Sequence, residues 1–235
     1  MKINTNLVKN KSFSSAIIPK LLKHSQEYRV LATLRYLYPT TFNTMVTGES
    51  PDLQDSANEV GIEVTAAVNG NDLKIARVFS NLYQGKLKDT VRRKKIIESS
   101  GYSFVPLRDN KVAISISGTA DGEKRFFQES IRRKTKKLQQ YRTNFKKIGL
   151  AVVLPEIPTS YAEEHVFEWI SELLEETDDL FDFVYVISHR FCIYFNTQDN
   201  IREKHLLTDN ESCLLSKIGR MTAEGELSLT DSEWL

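Results

Sequence analysis

The stretch "PDLQDSANEVGIEVT", Pro51 to Thr65, places one carboxylate, Asp52, directly after a proline and another, Glu63, inside an apolar run. Its second half continues as "VGIEVTAAV", rich in Val, Ile and Thr and bounded by Asn and Gly, which predicts a strand. Side chains alternate across a strand, so Ile62 and Val64 face one side and Glu63 and Thr65 the other. Ile62 and Val64 can join a core. A carboxylate in an otherwise buried strand is costly unless a cation meets it. Asp52, eleven residues earlier across a turn, can approach Glu63 from a neighbouring strand. Two carboxylates held close repel each other unless a cation sits between them. Mg2+ suits that position, because it takes oxygen ligands, usually one or two carboxylates, and keeps several waters. The same residues admit a plainer reading, with Asp52 a turn residue and Glu63 paired with a Lys or Arg.

Working outward, Val30, Leu31, Leu34, Leu37 and Tyr38 recur at helical spacing and predict a helix from about Pro19 to Tyr38, ended by Pro39. "TFNTMV" then predicts a strand, and "PDL" opens a short extended piece. After "NGND" a basic, mostly helical segment is expected from about Leu73 to Ser99. "GYSFVPL" and "KVAISISGT" read as loop or strand pieces. A basic helix is expected from about Gly122 to Lys147, and "IGLAVVLP" has the wholly apolar character of a strand buried on both faces. Ser160 with Glu163 makes a capping box for a helix to about Glu175. "FDFVYVIS" and "FCIYF" predict strands around a turn at His189 and Arg190. Helices alternating with strands predict an α/β fold with a mixed sheet covered on both sides. The 235 residues suit one domain, 1–210, carrying a basic helical insertion at 71–100, with 211–235 a tail of ambiguous structure.

Forty per cent hydrophobic residues, with 12 Phe and 9 Tyr, suffice for a sizeable core. No apolar run approaches the ~18 residues that span a bilayer, and the basic N-terminus lacks the apolar stretch of an export signal. Cys192 and Cys213 read as reduced thiols. A soluble, cytoplasmic protein without a membrane partner is expected. The net charge of +1 hides a division: through Leu150 there are 27 Lys and Arg against 13 Asp and Glu, and beyond it 5 against 18. Two runs, Lys86 to Lys95 and Lys124 to Lys147, carry most of the positive charge. A basic stripe is the footprint of a protein that follows a phosphate backbone, although such runs also form plain solvated faces. The acidic stretch from Glu156 to Asp182 contains no Lys or Arg, and either pairs with the basic helices or repels nucleic acid from that side. There is no Gly-rich phosphate loop, and His189 with Cys192 reads as a turn beside a strand rather than a zinc site.

From roughly Glu27 to Leu154 the chain resembles the PD-(D/E)XK nuclease superfamily, of restriction-endonuclease-like fold. The resemblance rests on "PDLQDSANEVGIEVT" in its context: a preceding helix with a glutamate, then a basic helix with a tyrosine near its end and an apolar strand, in α-β-β-β-α-β order. It implies a metal-dependent nuclease, with DNA placed ahead of RNA as substrate. It further implies that Asp52, Glu63 and the backbone carbonyl of Val64 hold Mg2+ or Mn2+, joined by Glu27 directly or through water. Glu27 shares a helix face with Val30, Leu31, Leu34 and Tyr38; its plainer reading is an exposed partner for Lys23. One departure matters. The family's lysine, two residues after the strand glutamate, is replaced by Thr65. That lysine orients the attacking water and steadies charge on the phosphate, and a threonine cannot supply the charge.

The basic helix offers a substitute. Phe127, Ile131, Lys134, Leu138, Tyr141 and Phe145 are spaced by four, three, four, three and four, which puts them on one helical face with Lys134 as its charged member. A lysine there either snorkels to the edge of the core or meets a buried anion, for which Asp52 and Glu63 are candidates. Relocation of the lysine to this helix is also known within the superfamily. Lys134 is therefore assigned to charge stabilisation, with Lys137 second, and Thr65 to holding the metal water or the lysine. Tyr141 is expected beside the site or on a phosphate. Arg92, Arg93, Lys94 and Lys95 of the insertion would clamp the nucleic-acid backbone, joined by Arg133 and Lys137 from the outer face of the helix, with little base specificity. Two other classes stay open: a nuclease-like domain that binds nucleic acid without chemistry, and a protein-interaction domain. A homodimer is compatible with each.

Overall fold

In the computed structural model Val8 is helical, and the elements described in full open with helix α1 (Pro19–Leu37) and three antiparallel strands, β1 (Val46–Thr47), β2 (Leu53–Asp55) and β3 (Val60–Ala66). It continues through α2 (Thr90–Ser99), the hairpin β4 (Tyr102–Pro106) and β5 (Val112–Ile116), and α3 (Ala120–Thr135). A single turn α4 (Leu138–Tyr141) leads to β6 (Lys147–Val153) and α5 (Ser160–Glu176). Strands β7 (Phe183–Ile187), β8 (Phe191–Asn196) and β9 (Arg202–Leu206) and helix α6 (Asp209–Ala223) complete it. The structure describes residues 8, 17, 19–68, 74–75, 78–79, 82, 90–100, 102–106, 112–116, 120–154, 160–177 and 179–229. They divide into two compact units, Met1–Ala67 with Phe127–Leu235, and Val68–Phe126.

The first unit is α/β, built on a seven-stranded mixed sheet in the order β1-β2-β3-β6-β7-β8-β9. Central β3, β6 and β7 run parallel, and antiparallel strands flank them on both edges. The alternation read from the sequence assigns each face. Ile62, Val64, Ala151, Val153 and Ile187 join Leu31 and Leu34 of α1 and Leu215 and Ile218 of α6 in one core. Ile148, Leu150, Val152 and Val186 join Phe127 and Ile131 of α3, Leu138 and Tyr141 of α4 and Trp169 and Ile170 of α5 in the other. A strand such as β6, apolar on both faces, belongs at the centre of such a sandwich. Gly61 lets the chain before β2 lie against β3, for a Cβ there would come within 2.5 Å of Pro51 Cγ.

The second unit holds α2, the β4–β5 hairpin and a small core of Ile75, Leu82, Ile97 and Tyr102. Of the helical segment expected from Leu73 to Ser99, Thr90–Ser99 is helix, as are residues 74–75, 78–79 and 82; the remainder lies outside the described residues. "GYSFVPL" and "KVAISISGT" form the hairpin, with Tyr102 opposite Ile116.

Several boundaries differ from the sequence reading. Most of "TFNTMV" is not strand, because Arg35 donates to the carbonyls of Phe42, Asn43 and Met45 and takes the acceptors a neighbouring strand would have used. The basic helix does not run to Lys147. It breaks at Lys136 and Lys137, where Lys137 N donates to Lys134 O over a tight three-residue step, and restarts as α4. Even so, Leu138, Tyr141 and Phe145 stay buried with Phe127 and Ile131. The tail ambiguous in sequence begins as α6, started by a Thr208–Glu211 capping box. The capping role expected of Ser160 falls on a side chain outside the described residues. Among the described residues, no helix is long and apolar enough to cross a membrane.

Candidate functional site

Strand β2 pairs with β3 as far as Leu53 opposite Ile62, so the β2-side edge of β3 lies open beyond that point. Asp52 closes it. Its Oδ2 accepts the N–H of Val64 at 2.9 Å, satisfying a backbone donor that the ladder leaves over. A residue's N–H and C=O leave an extended strand on the same edge, so the Val64 carbonyl shares the side of β3 on which Asp52 sits. Glu63 projects to the face covered by α3 and α4. Both carboxylates are buried, Asp52 at 2% and Glu63 at 3% exposure.

Each has a cation of its own. The Lys134 ammonium, near the end of α3, donates to Glu63 Oε1. Lys134 is the charged member of its apolar seam and meets Glu63 across the sheet-to-helix gap, with its side chain only 17% exposed. Asp52 Oδ1 accepts from Lys23 Nζ at 2.9 Å. The same ammonium lies 2.9 Å from Oε1 of Glu27, one turn along α1, and Glu27 Oε2 is 2.9 Å from His24 Nδ1. Glu27 is 2% exposed, and its Oε1, though within ion-pair distance of Lys23, has no aligned hydrogen-bond partner. The hydrogen bond to Asp52, with the Glu27 carboxylate 2.9 Å away, holds the Lys23 ammonium well above its ordinary pKa.

Thr65, in the strand position next on the same face as Glu63, accepts from Arg133 Nη2 at 3.2 Å. Arg133 therefore turns toward β3, although the sequence pattern put it on the outer face of the helix. Burial, followed by the neighbouring charge of Glu63, raises the pKa of Tyr141, so the phenol stays protonated beside the carboxylates. Asp52 thus joins Lys23 and Glu27 of α1 to the Val64 backbone, while Glu63 meets Lys134 and Thr65 meets Arg133 on the α3 side of the same strand.

The remaining candidates are carried by other segments of the chain. Lys137 is exposed at the α3–α4 break, just past the helix whose Arg132 forms a two-oxygen pair with Glu176 of α5. Arg92, Arg93, Lys94 and Lys95 lie on α2 of the second unit, all exposed except the half-buried Arg93. In the sequence Lys23 stands out only as the cation that an exposed Glu27 would pair with. Its reach to Asp52 spans 29 residues and leaves no local signal; the lysine four residues before a buried glutamate was the available clue.

Among the described residues no group of three or more His, Cys, Asp or Glu side chains gathers closely enough to hold a metal by side chains alone. The donor set here is two or three buried carboxylates and a strand carbonyl, all oxygen, with an ammonium shared between Glu27 and Asp52. Mg2+ and Mn2+ fit that set, since such ions use one or two carboxylates and complete their shell with water. Compared with protein-family models, curated proteins and solved structures, the chain has no significant match.

Proposed function

We propose that this protein is a metal-dependent nuclease of the PD-(D/E)XK type, hydrolysing phosphodiester bonds in nucleic acid. The observation that carries the reading is the pairing of Lys134 with Glu63 beside Asp52. A cation reaches the site from the following helix, where the sequence has Thr65 instead of the usual lysine. With α2, β4 and β5 of the second unit and the single turn α4 set aside, the order α1-β1-β2-β3-α3-β6, with β3 and β6 parallel, agrees with the helix and strand order of the resemblance and supports the same reading.

Asp52, Glu63 and the Val64 carbonyl would hold Mg2+ or Mn2+, with Glu27 as a further carboxylate. When bound, the ion lowers the pKa of a water and neutralises charge on the scissile phosphate. The chain's own groups do the rest. Glu63, fixed on a buried strand, orients that water, and Lys134 is aimed at the negative charge that develops on the phosphate. Arg133, poised on Thr65, supplies a second cation at the same edge. Tyr141 remains a neutral donor because its proton is retained. Arg92, Arg93, Lys94 and Lys95 form an exposed basic helix suited to backbone phosphates, a contact without base specificity.

A second reading is favoured by one observation: both carboxylates already have ammonium partners, as a site that had lost its chemistry would retain. Substituting Lys134 by Met separates the two readings, with cleavage of plasmid DNA and of RNA measured in Mn2+ alongside calorimetric Mn2+ binding. Removing one partner of a buried pair costs about 3–5 kcal/mol, so folding is checked by circular dichroism and Lys134→Arg serves as the charge-retaining control. A working nuclease loses about 10²-fold or more in rate while keeping its Mn2+ affinity. Cleavage by Lys134→Met at the wild-type rate removes Lys134 from the mechanism. Absence of divalent binding and cleavage in the wild type leaves the nucleic-acid-binding reading.

A further inference from the structure

We propose that Lys23 is a displaceable counter-ion, which neutralises the Glu27–Asp52 pair until a divalent cation takes its place. The inference rests on the metal-dependent reading above. The two ammonium groups of the site differ in how they are held. Lys134 is 17% exposed and its stem lies in an apolar seam, so it is resident. Lys23 is 66% exposed, while its two partners are each 3% exposed at the side chain. The carboxylates cannot follow the ammonium into water, but the ammonium can leave them by side-chain rotation about α1, with no movement of the helix. Water then solvates the departing charge at little cost.

The partners are also imperfectly satisfied. Glu27 Oε1 sits 2.9 Å from Lys23 Nζ without hydrogen-bond alignment, a buried acceptor for which a more highly charged occupant would be a better partner. Asp52 keeps its second oxygen on Val64 N–H whether or not Lys23 is present, so the site does not collapse when the ammonium departs. A divalent ion entering between Asp52 and Glu27 therefore competes with one lysine and meets a preformed set of oxygens. The released lysine, still anchored on α1 beside Glu27, keeps a positive charge near the site that would favour a phosphate.

The test uses Mn2+ alone, with affinity read by calorimetry and by the metal-dependent rise in melting temperature. Lys23→Met should bind Mn2+ about tenfold more tightly than the wild type, equivalent to about 1.4 kcal/mol. It should also be less stable than the wild type without metal and gain more from adding it. Lys23→Arg, which keeps the charge, should retain the wild-type affinity. Equal affinity in Lys23→Met and wild type overturns the competition while leaving the metal site standing; absence of Mn2+ binding in both overturns the metal reading and this inference together. Should Lys23→Met not fold, acetylation of Lys23 in the wild type gives the answer. Saturating Mn2+ should raise its modification rate, and an unchanged rate overturns the proposal.

Discussion

Asp52 shows how a single side chain changes meaning once its neighbours are known. From spacing, Asp52 and Glu63 look like two carboxylates forced together, and replacing one by an amide would then relieve repulsion. In the structure Asp52 accepts from both Val64 N–H and Lys23, and Glu63 has Lys134. An asparagine could still accept from Val64, but its amide NH2 would confront the Lys23 ammonium. Asp52→Asn is therefore expected to destabilise the metal-free protein by about 1–3 kcal/mol in urea denaturation, the cost of spoiling a buried polar partner. It should also abolish any stabilisation by Mn2+. A variant at least as stable as the wild type would restore the like-charge picture. Thr65 carries a similar lesson: its hydroxyl cannot replace an ammonium, but it receives one end of Arg133 and so brings a cation to the same face.

At the scale of elements, the site depends on where α1 is seated. This helix carries both Lys23 and Glu27, and it lies so close to α6 that a Cβ on Gly219 would come within 2.6 Å of Ser25 O and 2.7 Å of Arg29 N. These are backbone atoms, which cannot swing aside. Gly219→Ala should push the two helices apart and cost about 1–3 kcal/mol, seen as a lower denaturant midpoint at unchanged slope. Because α1 moves with it, the Lys23 link to Asp52 should lengthen too; a Gly219→Ala protein with the wild-type midpoint would show that the helices have room. Arg35 ties the same helix to the segment before β1 and to Leu229 through four backbone carbonyls. Lys134, in the last turn of α3, also places its charge at the end of the helix where a cation is favoured.

For the whole molecule, the groups with displaced proton affinity predict how stability follows pH. Burial raises the pKa values of Tyr38, Tyr141 and Tyr185 and pushes the Cys192 thiol up to about 12. Each keeps its proton in the folded state at a pH where the unfolded chain releases it. Their effect is to lower stability as pH rises past the ordinary values of 9.0 for the thiol and 10.0 for the phenols. Lys23 acts in the same direction: its raised pKa gives stability that is complete below 10.5 and is lost as pH climbs through the folded value. On the acid side, hydrogen bonds from Tyr36 and Thr208 lower Glu211, and those from Thr44 and Asn58 lower Asp55. Those contributions are present above the ordinary carboxylate values of 4.5 and 3.8 and fade as pH falls. The melting temperature should accordingly be flat through neutrality and drop steeply above about pH 9–10, in calorimetry across that range. A melting temperature unchanged from pH 7 to pH 10.5 would show that these protons are not held by the fold.

Much of this molecule follows from local pattern. The alternation in "VGIEVTAAV" determines that Ile62 and Val64 face one core while Glu63 and Thr65 face the other side, because a strand has a period of two wherever it is placed. The seam from Phe127 to Phe145 likewise singles out Lys134, and its burial survives even the break at Lys136 and Lys137. Strand β9, "REKHL", left no such trace, since an edge strand that is mostly exposed carries no apolar period. Other features exist only in three dimensions. Arg35 consumes the carbonyls that "TFNTMV" would have used as a strand, and Lys23 meets Asp52 only because the end of β2 is brought beneath α1. Those contacts were decided by the tertiary structure, because a cation finds a buried anion by proximity in space, and residues 29 apart share no period that could announce it.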